Sequence, residues 1–284
     1  MANFILSAFA DEIDSNFDIQ LESLKKLGIN MLELRGVNGK SFVELSDEEA
    51  YEVKQKLSEN KISLSALGSP IGKIKVDGDF IAHKNLLERI MDIGDILECK
   101  RIRMFSFYPA ENMSRDAFRA KAFSMLDELL AMAEKRGFVL CHENEKDIFG
   151  ETPEQELELL EHFGGRLKAV LDPGNFAFCL LDASKGYPLL KKHIEYFHIK
   201  DADESGAIVP PGKGVAFLKE TLAGIAADRP DEDVILTIEP HLMGFVGLAS
   251  LSKLDDIRHV YSFDTPFDAF KTAVDAVKGM ISDL

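Results

Sequence analysis

Four short apolar segments in the second half of the sequence end in, or contain, a side chain able to bind a metal ion or carry a proton. These residues are Glu143, Asp172, His198 and Glu239. Neighbouring parallel strands lie about 4.8 Å apart, so side chains at their ends converge if the four segments are such strands. Three carboxylates around one imidazole repel each other unless a cation lies between them. The pattern therefore predicts one divalent ion, and oxygen ligands with one nitrogen suit Mn²⁺, Mg²⁺, Fe²⁺, Co²⁺ or Zn²⁺.

Each of these residues taken alone also has a simpler interpretation. A histidine in an apolar strand is commonly a core residue, and an aspartate before Pro173 is a common turn former. Glu239 before Pro240 is also consistent with a strand end that has no further role. The metal site is favoured because all four side chains occur at successive strand ends.

The elements that must position these residues alternate along the whole chain. The predicted strands are 4–10, 31–35, 62–67, 101–106, 138–142, 167–171, 196–199 and 234–238. The predicted helices are 19–27, 47–60, 79–98, 114–136, 153–163, one ending near His193, 215–227 and one from about Pro266 to the end. Crossovers long enough for a helix make the strands parallel.

Eight strand–helix units in 284 residues, about 35 residues each, predict the α/β class and a single (β/α)₈ TIM barrel over residues 1–284. The competing fold is an open doubly wound sheet, which usually has a glycine-rich first turn. The first turn of this chain is Ala10-Asp-Glu-Ile-Asp14. In a TIM barrel, the C-terminal strand ends form the active-site rim, where the four residues are expected.

Composition excludes several classes of protein. The formal charge is 33 − 49 = −16, which argues against binding to nucleic acid or to anionic lipid. The three cysteines are far apart and form no disulfide framework or zinc ribbon. The N-terminus has no basic region typical of a signal peptide, and no uncharged stretch approaches the length of a membrane span. We therefore expect a cytoplasmic protein with a small-molecule partner, and homo-oligomerisation stays open.

The most specific motifs are Leu140-Cys-His-Glu-Asn144, Leu171-Asp-Pro-Gly174, His198-Ile-Lys-Asp201 and Gly212-Lys-Gly214. With Phe9-Ala-Asp-Glu12 and Thr237-Ile-Glu-Pro-His241, they resemble the motifs of xylose isomerase-like barrels. The resemblance is to the sugar phosphate isomerase/epimerase group, which includes tagatose- and psicose-type 3-epimerases, hydroxypyruvate isomerases and inosose-processing enzymes. It covers nearly the whole chain and implies one divalent metal ion, bound by the matching Glu143, Asp172, His198 and Glu239.

The resemblance also implies a reaction. In the epimerases, the glutamates matching Glu143 and Glu239 approach the substrate carbon from opposite faces, which makes this pair the expected acid/base catalysts. A metal ion stabilises the ene-diolate formed when a proton is lost beside a carbonyl, and carboxylates remove and return protons. We expect a metal-dependent isomerase or epimerase of a small sugar, sugar phosphate or hydroxy-keto compound.

Residues beside the motifs are expected to bind substrate. They are Ser106, Glu145, Asn175 and Lys200. Lys200 either stabilises a developing oxyanion or an anionic substrate group, or it pairs with rim carboxylates. Asn175 replaces a histidine common in the epimerases, Glu204 replaces a frequent arginine, and Phe149 replaces a further glutamate. These departures lie around the metal ligands and leave the substrate open.

Three other functions are retained as alternatives. An inosose-type dehydratase or another lyase would use the same site. A phosphodiesterase like the three-zinc DNA-repair endonuclease of this superfamily needs many histidines, whereas this chain has seven and a charge of −16. A barrel that binds a ligand without catalysis is the third alternative. Gly212 and Gly214 before a helix are also a weak indication of a phosphate site.

Overall fold

The eight principal strands form a parallel sheet that curls into a nearly closed barrel. A computed structural model describes residues 2–245 and 258–284. Its barrel strands are β1 (Asn3–Ala8), β2 (Met31–Leu34), β3 (Ser63–Gly68), β4 (Arg101–Met104), β5 (Val139–Glu143), β6 (Leu167–Leu171), β7 (Ile194–Ile199) and β8 (Asp233–Ile238). Hydrogen-bonded neighbours run in the order β1-β8-β7-β6-β5-β4-β3-β2, and β1 packs against β2 at the seam. The predicted TIM barrel is confirmed.

Helices surround this barrel. They are α1 (Phe17–Leu27), α2 (Asp47–Asn60), α3 (Phe80–Leu97), α4 (Arg115–Lys135), α5 (Pro153–Phe163), α6 (Pro173–Phe178), α7 (Gly186–Leu190), α8 (Leu218–Asp228) and α9 (Pro266–Ser282). Local sequence sets several ends: Ser46 and Glu49 form a capping box at the start of α2, and Gly28 ends α1 with φ 67°. No helix among the described residues has the length and apolar character of a membrane span.

The sixth crossover differs from its prediction. One helix ending near His193 was expected, but the chain forms α6, a 3-10 turn at Ala183–Lys185, and then α7. Asp172 caps α6 by accepting a hydrogen bond from the Asn175 N–H, and Asp182 accepts one from Ser184. Two local caps within a few turns divide the segment, because each one starts a new helical turn.

Alternation along the strands decides which side chains enter the barrel. In β7, Phe197 and Ile199 belong to the apolar layer beneath the helices, while Tyr196 and His198 point inward. In β5, Leu140 packs outward in the same way. The inward residues near the C-terminal ends of the strands are polar, and they form the candidate site.

Candidate metal centre

The four predicted metal ligands meet at the C-terminal mouth of the barrel. Glu143 ends β5, Asp172 follows β6, His198 lies in β7, and Glu239 follows β8. One ligand atom from each lies within 4.8 Å of the others, and all four side chains are buried. Four consecutive strands therefore bring together the residues that the sequence pattern singled out.

Within residues 2–245 and 258–284, several buried atoms at this centre have no hydrogen bond of normal geometry. They are His198 Nδ1, Asp172 Oδ2 and Glu239 Oε2. His198 Nδ1 lies 3.2 Å from Glu143 Oε1 and 3.1 Å from Glu239 Oε2. Buried polar atoms without hydrogen bonds are uncommon in proteins. A divalent ion bound among them would satisfy these atoms, and the O₃N donor set fits such an ion.

A carboxylate on β2 holds the opposite side of the histidine ring. Glu33 is fully buried, and its Oε2 lies 2.9 Å from His198 Nε2. Its Oε1 accepts a 2.9 Å hydrogen bond from the Tyr196 hydroxyl. Burial lowers the pKa of His198, but Glu33 and Glu143 raise it well above the ordinary value. Glu33 thus fixes the ring so that Nδ1 faces the centre.

Each of the two glutamates has one oxygen beside a buried arginine. Arg103 Nε lies 3.2 Å from Glu143 Oε2, and Arg35 Nη1 lies 2.7 Å from Glu239 Oε1. The remaining oxygen of each glutamate faces His198. The two carboxylates are therefore held at one oxygen and directed toward the centre with the other.

Both glutamates are ionised at neutral pH. Burial raises the pKa of Glu143, but His198 and Arg103 lower it to about 2. Burial also raises the pKa of Glu239, and Lys200 and His241 bring it well below its ordinary value. Both carboxylates are thereby kept in their charged form.

Lys200 takes the ion-pair role that was one of its two predicted alternatives. Its Nζ lies 3.0 Å from Asp172 Oδ2 and 3.9 Å from Glu239 Oε2. Burial lowers the pKa of Lys200, but these carboxylates raise it above the ordinary value. Burial raises the pKa of Asp172 to about 6 despite the lysine. Lys200 therefore neutralises part of the charge at the rim.

The other predicted substrate residues occupy different places. Asn175 Nδ2 donates hydrogen bonds to Glu143 Oε1 at 3.1 Å and to Asn144 O at 2.8 Å. Glu145 is half-buried, with Oε2 3.4 Å from Lys73 Nζ. The buried Ser106 hydroxyl donates to Phe149 O. Substrate binding by these residues stays a prediction, and Asn175 already braces one of the candidate metal ligands.

The glycine pair near α8 binds a protein carboxylate. The N–H groups of Gly212 and Gly214 donate to Asp201 Oδ2 at 2.8 and 2.9 Å, and Ala216 N donates to Oδ1 at 3.0 Å. A Cβ on Gly214 would lie 2.2 Å from Ala202 O. These amides therefore hold the loop together, and they are not available to a phosphate.

A second group of possible metal ligands shares Glu239. It comprises Glu12, Glu239 and His241. The Arg35 guanidinium lies within this group, 2.7 Å from Glu239 Oε1 and 3.3 Å from Glu12 Oε1. It is also clamped by Asp11, with Nε–Oδ2 at 2.9 Å and Nη2–Oδ1 at 3.0 Å. The guanidinium of Arg35 therefore occupies the position that a metal ion would take in this group.

A cavity of about 610 Å³ opens beside the centre. Its lining comes from the β1–β4 half of the barrel, whereas the four candidate ligands come from β5–β8. Arg35 and Arg103 line the cavity and also contact Glu239 and Glu143. A molecule in this cavity would therefore lie next to the two glutamates.

Glu33, Arg35 and Arg103 contact the candidate ligands but were not among the predicted site residues. Glu33 and Arg103 lie in the otherwise apolar segments Met31-Leu-Glu-Leu34 and Arg101-Ile-Arg-Met104, and Arg35 directly follows the first of these. Charged residues spaced two apart in such a strand share one face. That spacing was the available signal, because a charge inside a barrel requires a partner.

The chain belongs to the xylose isomerase-like TIM barrel family, whose model matches residues 21–241. Among solved structures, it resembles an L-ribulose 3-epimerase, with TM-score 0.76, 15% identity, and coverage of 100% of this chain and 95% of that one. It also resembles the IOLI protein with a bound zinc atom, with TM-score 0.75, 18% identity, and 98% coverage of each chain.

A third similar structure is the probable 3-DHS dehydratase AsbF of petrobactin synthesis from Bacillus anthracis. Its TM-score is 0.72 at 13% identity, with coverage of 98% of this chain and 99% of that one. Among curated proteins, no sequence matches this chain. At these identities the structural likenesses establish the fold alone.

Proposed function

We propose that this protein is a divalent-metal-dependent isomerase or epimerase of a small sugar or hydroxy-keto compound, acting in the cytoplasm. The main support is the pair Glu143 and Glu239. Both are ionised, each has one oxygen beside a buried arginine, and each directs its other oxygen toward the candidate metal centre. A base and an acid on either side of one carbon are what inversion at that carbon requires.

Glu143, Asp172, His198 and Glu239 are the residues that would hold the ion. When bound, a divalent ion supplies the Lewis acid that makes a proton beside a carbonyl removable. One ionised glutamate then takes the proton from carbon. The other glutamate, after it has taken up a proton from solvent, returns that proton to the opposite face of the carbon, which gives epimerisation. Return of the proton to the neighbouring carbon, with transfer between the two oxygens, gives aldose–ketose isomerisation.

The surrounding residues prepare this proton transfer. Arg35 and Arg103 stabilise the charged form of each glutamate, and Glu33 orients His198. Lys200 and Asn175 hold Asp172 and Glu143 in place. Because all these contacts are buried, little reorganisation is needed when a substrate enters.

A dehydratase is the second candidate. Elimination begins with the same removal of a proton beside a carbonyl, and it also needs an acid to protonate the departing hydroxyl. Burial raises the pKa of Glu12 to about 8, so this carboxyl carries a proton at neutral pH. Its Oε1 lies 3.4 Å from His241 Nε2, which lies 3.3 Å from Glu239 Oε1.

Proton exchange with solvent tests the proposal. Manganese-loaded protein in D₂O is incubated with ketoses, hydroxypyruvate and inososes, and loss of carbon-bound hydrogen is followed by NMR. We expect exchange with at least one compound, and we expect Glu239→Gln to retain the metal and lose the exchange. Glu161→Gln, an exposed position on α5, is the matched control. Full exchange by the Glu239 variant would refute the assignment, and release of water from a substrate would favour the dehydratase.

A further inference from the structure

The cavity beside the candidate metal centre has two walls that differ in charge. One wall follows β1 and β2 and carries Asp11, Glu44, Arg35 and Lys40, a formal charge of 2 − 2 = 0. The other, here named the β3–β4 wall, consists of Gly68, Ser69, Pro70, Lys73 and Arg103. The described residues of this wall include two cations and no carboxylate, a formal charge of +2. The wall next to Glu143 is thus the cationic one.

Both cations of the β3–β4 wall are removed from solvent. The side chains of Lys73 and Arg103 are 9% and 2% exposed. Both lie against the Phe105 ring, with Lys73 Nζ 4.4 Å and Arg103 Cζ 4.6 Å from its centroid. Burial and, to a lesser extent, Arg103 lower the pKa of Lys73, although Glu145 opposes this. Two like charges share one poorly hydrated surface, which favours an anion between them.

The carboxylates that offset these cations lie outside the cavity lining. Lys73 Nζ is 3.4 Å from Glu145 Oε2, and Arg103 Nε is 3.2 Å from Glu143 Oε2. Glu143 is a candidate metal ligand, so its charge would be shared with a bound divalent ion. The positive potential of the β3–β4 wall therefore increases when the centre is loaded.

The guanidinium of Arg103 is fixed in an orientation that leaves donors for a ligand. Its Nη1 donates to Ser69 O at 3.0 Å, and its Nε faces Glu143. Its Nη2 donates no hydrogen bond to any of the described residues. A planar fork with free donors matches a carboxylate or a phosphate, and a lysine adds a point charge.

The loop that carries Lys73 is also fixed. Gly72 N donates a 2.7 Å hydrogen bond to His83 Nε2 on α3, and Phe105 N donates to Ile71 O at 2.8 Å. Gly72 has φ +90°, and a Cβ there would lie 2.1 Å from Phe105 O. The backbone that carries Lys73 is therefore preorganised.

We propose that the β3–β4 wall binds an anionic group, a carboxylate or a phosphate monoester, carried by the substrate. This inference rests on the proposed function and specifies its substrate class: a hydroxy-keto compound with a negative charge. The charged group lies on Lys73 and Arg103, and the reacting carbons lie toward Glu143 and Glu239. The substrate is thus distinguished from a neutral ketose by a contact that does not involve the metal ligands.

Binding of small probes to the manganese-loaded, full-length protein tests this proposal. Glycolate represents a carboxylate, methyl phosphate represents a phosphate monoester, and ethylene glycol is the uncharged match. Calorimetry should detect at least one of the two anions and no binding of ethylene glycol. The anion whose affinity falls more in Lys73→Met shows whether the β3–β4 wall prefers a carboxylate or a phosphate monoester.

The variants separate charge from structure. Lys73→Met should weaken anion binding about tenfold, because it removes one charge-assisted hydrogen bond. Lys73→Arg should restore most of the affinity, and Lys219→Met, at an exposed position on α8, should leave it unchanged. A second measurement needs no variant: anion binding to the wild type should weaken as sodium chloride is raised. Equal affinity in the wild type and Lys73→Met, or no salt dependence, would overturn the proposal.

Failure of this proposal differs from failure of the proposed function. If anions bind through Lys73 but no compound exchanges hydrogen with D₂O, the β3–β4 wall stands and the isomerase proposal falls. If no anion binds, and neutral ketoses exchange hydrogen equally well in the wild type and in Lys73→Met, the isomerase proposal stands and the anion-binding proposal for the β3–β4 wall falls. The two experiments together therefore assign any negative result to one of the two claims.

Discussion

Glu33 supports the candidate metal centre by contacting the side of the His198 ring that faces away from it. It contacts His198 Nε2 and the Tyr196 hydroxyl, both at 2.9 Å, and it reaches no other candidate ligand at such a distance among the described residues. Carboxylates in this position orient a metal-binding imidazole and strengthen it as a ligand. Its effect should therefore appear in metal affinity.

We expect Glu33→Gln to weaken metal binding by about 10–100-fold, because the amide removes the charge behind His198. Competition with a fluorescent chelator for Mn²⁺ measures the dissociation constant, and circular dichroism verifies the fold. Glu161→Gln makes the same change at an exposed site and should bind metal like the wild type. An unchanged dissociation constant in the Glu33 variant would show that this contact does not support the centre.

His83 gives a prediction on pH. Burial lowers its pKa from 6.5 to about 4 in the folded protein, where Nε2 accepts the Gly72 N–H. The unfolded chain therefore takes up a proton first as the pH falls. The stabilisation is complete above pH 6.5 and is lost as the pH decreases through 4.

His83→Gln keeps an acceptor for Gly72 and removes the titrating group. Its free energy of unfolding should fall less between pH 7 and pH 4.5 than that of the wild type, by about 1–2 kcal/mol after allowance for solvent screening. Denaturant unfolding at several pH values measures the difference. Parallel pH profiles for the two proteins would contradict the assignment to His83.

At the scale of elements, sequence periodicity predicts the bounds of helices and strands whose ends are marked by local sequence. The bounds of α2, α5 and β6 agree with prediction, because caps and apolar spacing mark both ends. The sixth crossover does not agree, because the helical pattern there is interrupted by two aspartates whose side chains accept nearby backbone N–H groups and start new turns. Asp172 is such a cap: Oδ1 accepts the Asn175 N–H, while Oδ2 faces Lys200.

Asp201 illustrates a loop that sequence reasoning interpreted differently. Its two oxygens accept backbone N–H groups from Ala202, Gly212, Gly214 and Ala216. A Gly-Lys-Gly segment before a helix is consistent with a phosphate site or with a loop closed on a carboxylate. Only the folded chain distinguishes them, since Asp201 lies eleven residues before Gly212.

We expect Asp201→Asn to destabilise the protein by about 2 kcal/mol or more, because an amide group in place of one oxygen leaves two N–H groups without an acceptor. Urea unfolding measures this loss. Asp77→Asn, an exposed position, is the matched control and should remain within about 0.5 kcal/mol of the wild type. A loss no larger than that of the control would show that the loop does not depend on this carboxylate.

At the scale of the whole molecule, part of the net negative charge is buried at the mouth of the barrel. Glu12 is protonated at neutral pH, so the charges buried there are Asp11, Glu33, Glu143, Asp172 and Glu239 against Arg35, Arg103 and Lys200. With His198 in the neutral form that binds a metal, their formal sum is 3 − 5 = −2. A bound divalent ion would offset this charge, so metal binding would relieve repulsion in the core of the fold.

Metal should therefore stabilise the folded chain against heat. An ion at 100 times its dissociation constant adds about 2.7 kcal/mol, which corresponds to a Tm increase of about 5–10 °C for a protein of this size. Calorimetry with Mn²⁺ and then with excess EDTA measures the shift. Asp172→Asn should lose most of it, and an equal shift in both proteins would place the stabilising ion elsewhere.

The whole fold follows from the alternation of strands and helices, and the family match over residues 21–241 agrees with it. The four candidate metal ligands could be predicted because they occur at or near the ends of strands. The spacing of Glu33, Arg35 and Arg103 indicated buried charges, but their partners could not be predicted, since these are distant in sequence: Arg35 and Glu239 are 204 residues apart. Such pairings exist only after the barrel closes.

Anomalous diffraction from crystals grown with Mn²⁺ tests the central claim most directly. We expect one strong anomalous peak in contact with Glu143, Asp172, His198 and Glu239, with His198 bound through Nδ1. The Glu12, Glu239 and His241 group should show no peak, because Arg35 occupies it. A manganese-soaked crystal without a peak at the first group, or with the ion bound only elsewhere, would contradict the assignment of the barrel mouth as a metal centre.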